Sequence, residues 1–70
     1  MSIFSVTVVT QAGVKEYHVG GTLRGRRIEG IEVAFLSTNG DQFEHYCMVD
    51  LDGKMIASVD KMCPCDVTYA

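Results

Sequence analysis

Tryptophan is absent from this sequence, proline occurs once, and lysine and arginine together number six. No apolar run approaches the ~18 residues that a membrane-spanning helix needs. No basic residue precedes Lys15, so the start MSIFSVTVVTQ lacks the charged opening of a secretory signal. The expected location is the cytoplasm, with no membrane partner. Nine acidic residues leave a net charge of −3, too mild for an acidic mimic of nucleic acid and of the wrong sign for a general nucleic-acid binder. Three cysteines, an odd number, fit a reducing compartment better than a secreted disulfide framework.

Hydrophobic residues make up 47% of the 70 positions, a composition that folds into a globule. The length allows one domain, residues 1–70. A chain this short buries only about 60% of the surface its unfolded form exposes. Its stability is therefore expected to lean on a metal, a disulfide or a second copy of the chain.

The apolar pattern has the two-residue period of strands almost from end to end. SIFSVTVVT (2–10) and VKEYHV (14–19) flank a short loop at Gln11-Ala12-Gly13. The stretch GGTLRGRR (20–27) breaks the pattern, and IEGIEVAFLS (28–37) resumes it. Asn39-Gly40 and Asp52-Gly53 supply the positive φ angles of two-residue hairpin turns. They bracket QFEHYCMVD (42–50) and precede KMIASVD (54–60). The lone proline, Pro64, marks a strand end or an edge. The expected fold is all-β: a small antiparallel meander of five or six strands, curled into a barrel or a two-layer sandwich.

Two-residue loops fix register. Asp52-Gly53 sets Leu51 against Lys54, Val49 against Ile56, Tyr46 against Val59, His45 against Asp60 and Glu44 against Lys61. Asn39-Gly40 sets Leu36 against Phe43, Val33 against Tyr46 and Ile31 against Met48. One face then carries Ile31, Val33, Phe35, Tyr46, Met48, Met55, Ala57 and Val59, the expected core face, with the first hairpin as its cover. The other face mixes Leu36, Phe43, Val49 and Ile56 with Glu32, His45, Cys47, Ser58 and Asp60.

His45, Cys47, Cys63 and Cys65 are four soft ligands, the number and type that tetrahedral zinc takes. Run straight through, however, the second hairpin sets Cys47 opposite Ser58 and leaves Cys63 about 16 Å further along, too far for zinc or a disulfide. Either needs the chain to bend back sharply at 62–64. Cys63-Pro64-Cys65 reads best as a strand end packed as small hydrophobes. The register also gathers Glu32, His45, Cys47 and Asp60 on one face, a metal or thiol–base candidate set against a simple solvated face. No catalytic residues are assigned, no cofactor is expected, and the chain is not expected to be an enzyme.

Arg24, Arg26 and Arg27, with Gly20, Gly21 and Gly25 around them, form a flexible cationic segment suited to phosphate or carboxylate. No aromatic residue lies between Gly20 and Phe35 to stack on bases, which weakens a nucleic-acid reading. The favoured function is a small interaction module that binds another protein, or itself, through a sheet edge or the mixed face, an accessory or inhibitor protein among its forms. Nucleic-acid or anion binding through residues 20–27 is the alternative. A zinc or thiol-redox protein using the four soft ligands is the second.

Overall fold

The computed structural model describes Ser2 to Ala70 and is all-β. Its strands are β1 (Ile3–Thr10), β2 (Gly13–His18), β3 (Thr22–Leu23), β4 (Arg26–Arg27), β5 (Gly30–Thr38), β6 (Asp41–Val49), β7 (Met55–Asp60) and β8 (Cys65–Tyr69). They form three antiparallel sheets, ordered β2-β1-β8, β3-β4 and β5-β6-β7. The expected count of five or six strands is too low, and the sheets do not close into a barrel.

The meander β5-β6-β7 follows the sequence pattern closely. Asn39 and Gly40 both adopt positive φ, 53° and 86°, and Thr38 pairs with Asp41 across them. Leu36 meets Phe43, Val33 meets Tyr46 and Ile31 meets Met48, as the two-residue loop requires. On the other side His45 meets Asp60, Tyr46 meets Val59 and Cys47 meets Ser58. Lys61 and Glu44 continue that ladder, joined through backbone at 3.1 Å and through side chains at 3.6 Å.

Near the second turn the expected register is wrong by one residue. Asp50, not Leu51, closes the loop against Lys54, and Val49 pairs with Met55 rather than Ile56. The Asp50 carboxylate explains the longer turn, since its Oδ1 accepts the backbone N–H groups of Asp52 and Lys54 at 3.0 and 2.9 Å. Ile56 is then an extra residue in β7, because Val49 takes Met55 while Met48 takes Ala57. This bulge restores the outer register. It also exchanges two faces: Ile56 packs against the core, while Met55, expected inside, is exposed.

The core joins Val6 and Val8 of β1 to Ile28, Ile31, Met48 and Val59. The first hairpin does supply the cover for the meander's core face. Ile28 is 2% exposed and is held between its own N–H, bonded to Gly21 O at 2.8 Å, and its carbonyl, bonded by Gly20 N–H at 2.9 Å. Val33 and Phe35, expected in the core, are instead 44% and 65% exposed. The nine-residue strands β5 and β6 outrun the buried cluster, so the hairpin overhangs it on the Asn39-Gly40 side.

After Asp60 the chain turns instead of running straight. Asp60 Oδ1 accepts Met62 N–H at 2.8 Å and Asp60 O accepts Cys63 N–H at 3.0 Å. Pro64 gives its carbonyl to Val9 N–H at 3.1 Å and leads into β8, an edge strand beside β1. A residue without an N–H donor is tolerated there.

Candidate functional site

Each sequence-predicted group has a definite place in this frame. Arg24-Gly25 forms the turn of the β3-β4 hairpin, with φ of 53° and 78°. Arg26 Nη1 donates to Asp50 Oδ2 at 2.6 Å, and Arg27 Nε lies 3.5 Å from Glu29 Oε2. The surface concavity here is lined by Arg24, Arg26 and Arg27 together with Glu29, Asp50 and Asp52. Three guanidinium groups thus face three carboxylates, and two of them are already engaged by neighbours.

Asp50 is the organiser of this corner. Its buried carboxylate is held below the usual aspartate range first by the Lys54 N–H bond, then by that of Asp52 and by the Arg26 charge, against an opposing effect of burial. A lowered folded value means that the associated stability is fully present above the unfolded value of about 3.9. It is lost as pH falls from there through the lower folded value. Thermal unfolding followed across that acidic window should show the loss in the parent protein and a flatter profile in Asp50→Asn. An equally steep profile in the variant would assign the acid sensitivity elsewhere.

The soft ligands are not drawn together. Cys47 is buried on β6, Cys63 is exposed in the turn after β7, and all three cysteines are free. Cys65 pairs with Val8 and packs against the core, as a small hydrophobe does; Cys63, expected to pack likewise, does not. The sharp bend at 62–64 that zinc or a disulfide would need is present, yet among the described residues no group of three or more His, Cys, Asp or Glu is arranged to hold a metal ion. His45 Nδ1 donates to Phe43 O at 3.0 Å, and its Nε2 lies 4.0 Å from Asp60 Oδ2. Burial, and then the nearby Glu32 charge, push the Cys47 thiol up, the opposite of what activates a thiolate nucleophile.

A different feature stands out on the overhanging hairpin. Among the described residues, β5 is an edge strand that pairs only with β6. Because Thr38 and Asp41 flank a two-residue turn, the even residues of β5 direct their N–H and C=O groups toward β6. The odd residues Val33, Phe35 and Ser37 direct theirs away. Register on the far side of β6 agrees, since the Lys61-to-Glu44 bond points the even backbone groups of β6 at β7.

Edge strands in soluble proteins are usually blunted by charge, proline, a bulge or shortness. The other edges of the two larger sheets have such devices. β2 carries Lys15 and Glu16, β7 carries the bulge at Ile56 and ends on Asp60, and β8 has five residues with Asp66 among them. β5 runs for nine residues with one charge, Glu32. Beyond Glu32 it offers Val33 and Phe35 on one face, and Leu36 beside the exposed Phe43 on the other. The exposure of Val33 and Phe35 was hidden from the sequence because a large apolar residue at every second position, Ile31, Val33 and Phe35, is the pattern of any core-facing strand.

The lower end of this edge adjoins an apolar groove of about 360 Å³, formed between Gly30–Glu32, Val49 and the start of β1 at Ile3 and Phe4. The chain matches no family model, no curated protein and no solved structure.

Proposed function

We propose that this chain is a small non-enzymatic interaction module that binds protein by adding a strand along the outer edge of β5, with its two three-stranded sheets acting as two packed layers. One observation carries the reading. A long edge with unpaired backbone groups from Val33 to Ser37 is flanked by exposed Val33 and Phe35 and has no blunting device beyond Glu32. Strand addition draws affinity from main-chain hydrogen bonds and specificity from alternate side chains, and β5 offers both. The charge-balanced corner around Arg26 and Asp50 gives less support to an anion or nucleic-acid site.

A lysine-flanked synthetic peptide of residues 31–37, titrated into the labelled protein, tests this by amide chemical shifts. The shifts should concentrate at Val33, Phe35 and Ser37. Shifts confined to β2, β7 or β8, or none at all, would refute the assignment.

A further inference from the structure

Resting on that reading, we infer that the strand added to β5 is the β5 of a second copy, run antiparallel about a two-fold axis at Ala34. The residue order of β5 makes it complementary to itself in this register. Val33 opposes Phe35 of the second copy and Phe35 opposes its Val33, so both exposed apolar side chains of each chain meet an apolar mate on the same face. The outward backbone groups of Val33 and Phe35 then form the hydrogen-bonded pairs, and Ala34 meets Ala34 in the intervening position.

Charge and polarity separate this register from its neighbours, since an axis at Val33 leaves the two Glu32 residues only about 7 Å apart along the strands, inside the screening length. An axis at Glu32 sets the only charges of the two strands face to face, which destabilises antiparallel pairs. An axis at Phe35 sets Val33 against Ser37. With the axis at Ala34, each Glu32 opposes Leu36, and the two carboxylates lie about 13 Å apart along the strands, beyond the ~8 Å screening length at physiological salt.

The groove supplies a second, independent fit. Glu32 and Gly30 share a face of the sheet with Val49, since Gly30 pairs with Val49. In the proposed register Leu36 of the second copy lies opposite Glu32 on that face, next to the apolar groove bounded by Val49 and Phe4. The end of the incoming strand therefore has an apolar seat where β5 approaches β1. The product is a six-stranded sheet, β7-β6-β5 continued by β5-β6-β7 of the second copy, in which neither β5 is an edge.

Sedimentation of the full chain across a concentration series, combined with cross-linking, tests this. The mass should double as concentration rises, and Phe35→Lys should weaken association about tenfold or more. In a Cys63→Ser background, Ala34→Cys should form a disulfide-linked dimer on mild oxidation, because residues so opposed have Cα atoms about 4.5 Å apart, within disulfide reach. Leu36→Cys should not, its two copies lying about 13 Å apart. A chain that stays monomeric at every concentration overturns the second copy as occupant, while the peptide titration judges the β5 edge separately. A dimer that fails to cross-link through Ala34→Cys, or cross-links as readily through Leu36→Cys, overturns the register and the inference with it.

Discussion

Ile28→Ala should remove about 2–5 kcal/mol of stability, a large share of the roughly 3.5–10 kcal/mol that a domain of this length holds. Ile28 belongs to none of the eight strands, yet it is among the most buried side chains described, with Met48 and Val6. Its backbone is clamped by Gly20 and Gly21 on one side, and its neighbour Glu29 is tied to Val49 O at 2.9 Å on the other. The side chain therefore cannot follow a collapsing cavity without breaking the connection from β4 to β5, so little relaxation should offset the loss. Urea unfolding monitored by circular dichroism would give the value. Ile28→Val should cost only about 0.5–1.5 kcal/mol. A cost below about 1 kcal/mol for alanine would place the core elsewhere.

Proline at two adjacent positions of β5 should behave in opposite ways. Leu36→Pro removes an N–H that bonds across to Phe43. The carbonyl it orphans costs about 1–3 kcal/mol, with further strain where the ring meets the neighbouring strand. Phe35→Pro removes an N–H that points to the free edge and a side chain that is mostly solvent-exposed, so stability should change by no more than about 1 kcal/mol. The same Phe35→Pro chain should fail to bind the strand peptide, because a donor has gone from the bonding edge. Equal destabilisation by both prolines would mean that β5 is paired on both sides.

Much of the meander was legible because its signals are local. Asn39-Gly40 dictates a two-residue turn, and the pairs that follow, down to Ile31 with Met48, are consequences of counting. Asp52-Gly53 is a weaker guide. The same dipeptide serves a two-residue turn or, with Asp50 capping two N–H groups, a three-residue one. The outer pairs were nonetheless correct, since the bulge at Ile56 cancels the longer loop. The other misreadings share a cause: they depend on side-chain-to-backbone bonds or on distant pairing. Asp60 bends the chain through its own carboxylate. β8 finds β1 across more than fifty residues, with no local mark of that partner. The β3-β4 turn uses Arg24 at positive φ, where asparagine, aspartate or glycine would have announced it.

The candidate surface was legible only as a class. Sheet edges and the mixed face follow from an all-β chain of this size, but which edge stands open depends on where the covering sheet stops. That is a property of packing: the buried cluster reaches Ile31 and Met48, and Val33 and Phe35 lie just past it. The conspicuous sequence feature, three arginines among glycines, proves to be partly committed to Asp50 and Glu29.

Residue-resolved amide hydrogen exchange in β5, measured on dilute protein, tests the central claim most directly. Ala34 and Leu36, bonded to β6, should exchange slowly, while Val33, Phe35 and Ser37 exchange fast, a strict alternation along one strand. Raising the protein concentration or adding the strand peptide should slow the fast set and leave the slow set unchanged. Uniform protection from residue 33 to residue 37 in dilute protein would contradict it, because β5 would then have no open edge to offer.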